Sequence, residues 1–207
     1  CSVSASGVSD ANHFLDTVLG EKVPALIEDY QSLYPFATTL PSYFEIPSTN
    51  ILTNRALQVD VSHGEYRGFH DSVKRLGDCQ APVLRDGKTS IKCTLDFAGM
   101  TANYTTMVRS GTLYCGAHNR TIRRVFLCAV FNSFRDHRRP ALLRTFEVPH
   151  LHFTTLYNSD LHLNTDRQRQ FKAHIEAKVK QTLQEALYAD YKLQLTRAVA
   201  ATPFPNV

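Results

Sequence analysis

Apolar residues follow two periods along this chain, and the change of period divides it into three parts. Over residues 9–34, Phe14, Leu15, Val18, Leu19, Val23, Leu26, Ile27, Tyr30 and Leu33 recur at helical spacing, which predicts an amphipathic helix capped by Ser9 or Asp10. Pro24 lies inside it and predicts a kink or a second helical start. Pro35, Pro41 and Pro47 then mark an extended connector.

Residues 51–157 change to period 2. Leu57, Val59 and Val61 alternate with Gln58, Asp60 and Ser62, and Ile91, Cys93, Leu95 and Phe97 alternate with Lys92, Thr94 and Asp96. One wet face and one dry face is the mark of half-buried antiparallel strands. Met100, Ala102, Tyr104, Thr106 and Val108 hold a further dry face, which sends Asn103 to the opposite side. Val125 to Phe131 is apolar at every position, which predicts a central strand covered on both faces. Phe146 and Val148 hold one phase and Leu151 and Phe153 the other, so a bulge or kink is expected at Pro149.

Residues 165–199 return to helical spacing. Phe171, Ile175, Val179, Leu183, Leu187, Tyr191, Leu195 and Val199 stand at steps of four. Four residues overshoot a full turn by about 40°, so the stripe winds around a helix about 50 Å long. A strongly twisted sheet curling around that helix could follow the stripe. An ordinary amphipathic helix, its stripe widened by Ala173, Ala177 and Ala186, is the other reading. The pattern implies one α+β domain over residues 1–207: an N-terminal helix and a highly curved antiparallel sheet wrapped around a long C-terminal helix.

The composition narrows the class. Hydrophobic residues make up 43% of the 207 residues and charged ones 20%, enough apolar material for a core. No apolar run is long enough to span a bilayer as a helix. The net charge of +4 comes with no nucleic-acid-binding motif. The chain opens at Cys1, as a mature form cleaved from a signal peptide or a trimmed form would. Two sequons, at Asn103 and Asn119, and five cysteines without a CxxC spacing favour an extracellular setting.

Asp86-Gly87 is a strong hairpin turn, flanked by Arg85 and Lys88. Folding there sets Cys79 nearly opposite Cys93. Cys115 and Cys128 flank a second candidate hairpin through His118-Asn119-Arg120-Thr121. Four cysteines allow three pairings, and the turns favour 79–93 with 115–128, leaving Cys1 over.

No catalytic signature stands in the chain: HExxH, GxSxG, GxGxxG and the phosphate-binding loop are all absent, so no enzyme and no cofactor is expected. His150-Leu151-His152, with His162 downstream, has the i, i+2 spacing of a strand-borne metal pair. The phase switch at Pro149 puts both histidines on the wetter face instead, and no metal is expected. Arg135, His137, Arg138, Arg139 and Arg144 gather around Pro140, which predicts a hairpin tip there, with Arg120, Arg123 and Arg124 as a smaller group. A solvated loop is one reading. Contact with an anionic headgroup, a glycosaminoglycan or an acidic protein surface is the other.

The helix running into Tyr34-Pro35-Phe36-Ala37-Thr38-Thr39-Leu40-Pro41 is followed by Gly64-Glu65-Tyr66-Arg67-Gly68-Phe69 and Lys74-Arg75-Leu76-Gly77-Asp78. Alternating strands, the Tyr104 strand and a long terminal helix come after. Over residues 9–199 this order resembles the group 7 mite allergens. More distantly it is similar to the insect juvenile-hormone-binding and takeout proteins and the bacterial-permeability-increasing type, all of the tubular lipid-binding superfamily. The resemblance implies a secreted, cofactor-free carrier of lipids or other apolar small ligands in a channel between sheet and helix. The cysteine-rich hairpins depart from the mite allergens, and Cys1 has no nearby partner of the kind the hormone carriers have. Expected lining positions are Leu26, Leu95, Phe97, Tyr104, Val108, Phe126, Val130, Phe171 and Ile175, though any one of them reads more simply as plain core. The rival reading is a protein-interaction module, directed at a host or defence protein, that uses the basic surface of Arg135, Arg138, Arg139 and Arg144.

Overall fold

The computed structural model describes residues 5–30, 33, 36–38, 42–49, 55–110, 119–136, 140–157, 161 and 163–205, with residues 5, 6, 36, 38, 42, 110, 119–134, 136, 150 and 152 as backbone only. The architecture is α+β: an N-terminal helical segment, a large antiparallel sheet and a long C-terminal helix. None of the described helices is long and apolar enough to cross a membrane.

The N-terminal segment begins earlier than its pattern predicts and ends sooner. Helix α1 (Ala5–Thr17) passes through a π turn (Val18–Lys22) into α2 (Val23–Glu28). Pro24 explains the wide turn. It has no N–H to give to a helical ladder, and just before it the Val23 N–H reaches back to the Val18 carbonyl. The helix thus absorbs its proline by widening one turn rather than by stopping.

The sheet contains strands β1 (Phe36–Thr38), β2 (Ser42–Ile46), β3 (Leu57–Arg67), β4 (Lys74–Arg75), β5 (Val83–Arg85), β6 (Lys88–Asp96), β7 (Met100–Ser110), β8 (Asn119–Asp136) and β9 (Leu142–Thr155). Strands β6 and β7 run end to end along β8. Lys88 lies opposite Asp136 and Asp96 opposite Cys128, then Met100 opposite Val125 and Thr106 opposite Asn119. Between Asp96 and Met100 this run holds one residue more than β8 does, a bulge at Phe97-Ala98-Gly99. The extra residue shifts the buried positions from Ile91, Cys93 and Leu95 to Met100, Ala102 and Tyr104 without turning the dry face outward. Strands β3, β4 and β5 line the other edge of the run. Strand β9 lines the far edge of β8, and β1 and β2 extend the sheet beyond β3. The expected irregularity at Pro149 is there: Cys128 faces His150 but Val130 faces Glu147, so β9 carries the extra residue.

This register corrects the second hairpin. Asn119, Arg120 and Thr121 form no turn; they lie within β8, opposite Thr106, Thr105 and Tyr104. Cys128 sits deep in the same strand, and Cys115 lies outside the described residues, as does any bond it makes. The first hairpin forms at Asp86-Gly87, where φ is 50° and 71°. Two successive left-handed residues make the turn whose twist matches the paired strands. Cys79 and Cys93 are joined in a disulfide just behind it.

The C-terminal helix comprises α3 (Thr165–Ala186), a π turn (Leu187–Tyr191) and α4 (Lys192–Ala201). Asn164 caps it, its side chain accepting from the Arg167 N–H. Every member of the stripe from Phe171 to Val199 is buried. The stripe winds through α3. The π turn then holds more residues per turn, so steps of four fall short of a full circle there and part of the drift is undone. Partners reach this helix from both edges of the sheet. Phe44 of β2 stacks on His174 at 4.6 Å, and on the β9 side the Val148 N–H donates to the Tyr188 hydroxyl at 2.9 Å. From between the edges, Phe97 packs edge-on against Tyr191. The sheet therefore curls about the helix, and one continuous core fills the space between them.

Candidate functional site

Two hairpins end together at one extremity of the sheet. The β5–β6 turn and the β8–β9 connection are adjacent because Lys88 and Thr89 pair with Asp136 and Arg135. Carried across four strands, the register forms a row: Val83 faces Ser90, Ser90 faces Phe134 and Phe134 faces Leu142. The next row outward holds Leu84, Thr89 and Arg135, and the outermost holds Arg85 and Lys88. A cleft of about 520 Å³ opens here, lined by Val83, Arg85, Asp86, Lys88, Ser90 and Arg144.

The chemistry of this end is unusual for a solvated surface. Val83 is 43% exposed, Leu84 51% and Leu142 44%. Large aliphatic groups so open to water normally mark an interaction site when they cluster. Arg85, Lys88 and Arg144 line the cleft with Val83, and Asp86 is the only acid among its described lining residues. No ion pair involves Arg85, Arg135 or Arg144 among the described residues. The disulfide at Cys79–Cys93 and the Gln80 N–H bond to the Lys92 carbonyl, 2.8 Å, fix the base of the β5–β6 hairpin, and Ser90 Oγ donates to the Val83 carbonyl at 3.3 Å.

Of the basic positions expected from the sequence, Arg135 and Arg144 are brought to this end, while Arg138 and Arg139 lie outside the described residues. The sequence reading had noted Arg85 and Lys88 only as flanks of a turn and had missed Val83, Leu84 and Leu142. The signal for them was the Asp-Gly turn itself, but their proximity to the arginine group depends on the pairing of β6 with β8.

The expected channel lining is found as packed core. Leu95, Phe97, Tyr104, Val108, Phe171 and Ile175 are buried, and Leu26 is half-buried against the same cluster. Phe171 meets Tyr157 at 5.5 Å between ring centres, and Tyr104 meets Tyr66 edge-on. None of these residues lines the basic cleft or the second cleft. For Phe126 and Val130 only the backbone is described, within β8. Val130 pairs with Thr94 and Glu147, positions of the wet face, whereas the row of Leu95 contains Ala129. Phe126, four residues earlier on the strand, shares that register with Val130 and pairs with His152.

The second cleft, about 540 Å³, lies between the N-terminal helical segment and the loop after β3. Its lining includes Asp16, Gly20, His70, Asp71 and Arg75. Arg75 is held by both Asp16 oxygens, at 2.9 and 3.0 Å. Those bonds from Asp16 raise its pKa further above the ordinary guanidinium value, so it is committed to clamping helix to sheet.

No group of metal-ligating side chains occurs among the described residues; the side chains of His150 and His152, and His162 altogether, lie outside them. Asn103 is half-buried, with its Oδ1 enclosed and without a hydrogen-bond partner among the described residues. The Asn119 side chain is not among those described.

Fold and site together define a curled-sheet α+β module that presents a basic and aliphatic end. No family model matches the chain. It is 42% identical over 202 residues, 97% of this chain and 91% of the relative, to the salivary anticoagulant protein P23 of the tick Ixodes scapularis. The chain belongs to the family of that tick protein.

Proposed function

We propose that this chain is a secreted, non-catalytic binding protein that restrains blood clotting in a host, and that it engages its target through the basic end of the sheet. The observation that carries the reading is that the β5–β6 turn lies beside the paired ends of β8 and β9, which sets Arg85, Lys88 and Arg144 around one cleft. The anticoagulant name of a relative 42% identical over nearly the whole chain supports the direction of the activity. A basic patch supplies long-range attraction to an acidic target and raises its rate of encounter.

The tubular lipid-binding resemblance remains a proposal about ancestry, supported by the curl of the sheet around the C-terminal helix. An apolar ligand held inside draws less support, because the lining candidates whose side chains are described are packed against that helix or its neighbours.

The test is thrombin generation in plasma with the full chain added. The expected result is a delayed onset, lost in Arg85→Glu/Lys88→Glu/Arg144→Glu while the melting temperature is kept. An unchanged onset with the wild-type chain, or full delay by the triple variant, would overturn the reading.

A further inference from the structure

We propose that strand β5 is a docking edge, which takes up an extended acidic segment of a partner protein as one more strand. This rests on the reading that the basic end is the working surface, and it names the mode of engagement and the partner's chemistry there.

The open edge follows from the pairing. Asp86 and Gly87 form a two-residue turn, so Arg85 and Lys88 close it as a hydrogen-bonded pair. Bonded and non-bonded pairs alternate along an antiparallel ladder, which makes Leu84 and Thr89 the next, non-bonded pair. Two bonds further along β6 fix the same phase: the Lys92 and Thr94 carbonyls accept from the Gln80 and Leu76 N–H groups on this side, both at 2.8 Å. Lys88, Ser90, Lys92 and Thr94 therefore bond toward this edge, and Leu84 turns its N–H and C=O away from the sheet. Among the described residues β5 pairs with β6 alone, and every residue from Val83 to Lys88 is exposed. On strand β9, by contrast, the Val148 N–H is taken by the Tyr188 hydroxyl of the C-terminal helix.

The side chains select the occupant. Val83 and Leu84 stand on opposite faces of the sheet, 43% and 51% exposed. A partner lying on one face covers one of them, whereas a strand added beside β5 reaches both. Leu84 shares its face with Thr89, which is buried like Ile91 and Cys93 beyond it, so an aliphatic residue fits there. Val83 and Arg85 share the other face, and Lys88 and Arg144 line the cleft with them, so an acidic residue fits there. An extended segment of alternating acidic and aliphatic residues meets both demands. A sulfated glycan or a lipid headgroup carries the charge but no ladder of N–H and C=O groups to match Leu84. A second copy of this chain would bring two sets of the same cations together, which is how charged edges repel their like.

The experiment titrates the isotope-labelled full chain with a synthetic peptide of alternating glutamate and valine, followed by the amide resonances. We expect the Leu84 amide to shift and its exchange with solvent to slow. Leu84→Pro removes an N–H that bonds nothing within the chain, so it is expected to melt where Leu84→Ala does. It is expected to bind the peptide at least about five-fold more weakly than Leu84→Ala, the usual worth of one hydrogen bond. Peptides N-methylated at the glutamates or at the valines give a second readout: one of the two should fail to bind, because a strand offers only alternate amides to one neighbour. Equal binding by Leu84→Pro and Leu84→Ala, full binding by both methylated peptides, or no binding would overturn the proposal. So would self-association through β5, or a Leu84 shift produced by heparin and not by the peptide. Thrombin generation with the same variants separates the two readings. Peptide binding without delayed clotting leaves strand docking and removes the anticoagulant reading; a delay kept equally by both variants, without peptide binding, does the reverse.

Discussion

Tyr66 and Tyr104 meet hydroxyl to hydroxyl inside the core, on neighbouring strands β3 and β7, and the Tyr66 hydroxyl also approaches the Val179 carbonyl of helix α3 at 3.4 Å. One polar contact thus ties the two rows of the sheet to the helix they enclose. A hydroxyl stripped of its partner in such a place keeps its desolvation cost. Tyr66→Phe and Tyr104→Phe are each expected to cost about 1–2 kcal/mol. The double variant should cost less than their sum, because it removes both ends of the bond. Urea unfolding of the cycle checks this, and strict additivity would deny the coupling.

Tyr191 presents the opposite case. Its ring is enclosed by Phe69, Phe97 and Phe146, and its hydroxyl is buried with no partner among the described residues. Burial pushes its pKa well up, so the hydroxyl stays neutral across the physiological range. Tyr191→Phe removes an unsatisfied group and keeps the ring packing. It is expected to raise stability by about 1 kcal/mol, read as a higher urea midpoint with an unchanged slope; a lower midpoint would show that the hydroxyl is satisfied.

The disulfide closes a separation of 14 residues around the β5–β6 hairpin. Cys79→Ala/Cys93→Ala is expected to lose about 3 kcal/mol, measured by thermal or urea unfolding under non-reducing conditions. An unchanged midpoint would mean that the hairpin is held by its strand pairing alone.

Three glycines separate backbone conformation from space. Gly68 has φ +100°, and an added Cβ would lie 2.7 Å from Ser72 Oγ and 3.1 Å from Met100 Cα. Gly68→Ala is therefore expected to cost more than about 2 kcal/mol. Gly77 has φ +67° with nothing within 4 Å, so its alanine variant meets backbone strain alone, about 1 kcal/mol. Gly20 has the same open space in an exposed helical turn without the positive φ. Gly20→Ala should be stabilising by up to about 1 kcal/mol. Melting temperatures in any other order would contradict the backbone at these three positions.

What could be read from the chain follows from where its patterns are one-sided. The alternation at Ile91–Phe97 and Met100–Val108 exposes a wet phase, so both dry faces were assignable, and the stripe from Phe171 to Val199 marked the C-terminal helix. The Asp86-Gly87 turn also located Cys79 against Cys93. Val125 to Phe131 carries no phase, being apolar at every position, so the pattern alone could not say which of its side chains faces the core. His118-Asn119-Arg120-Thr121 has turn-like residues, yet pairing of β8 along β7 keeps Asn119–Thr121 extended. Pro24 marked the break at the first π turn, whereas the second, Leu187–Tyr191, left no trace in the residue pattern, because it inserts a residue without changing its neighbours' character. The basic end was half legible: the Asp86-Gly87 turn and the arginine group could be located, but the pairing of β6 with β8 that brings Arg85 and Arg144 to one cleft is long-range register, which local spacing does not carry.

Because β6 and β7 run as one strand beside β8, the buried rows and the turn residues are separate parts of the chain. Mutations that alter the shape or charge of the basic extremity need not disturb the side chains that hold the fold. Antibodies raised against that extremity would thus confront a surface free to vary, carried on an interior that is not.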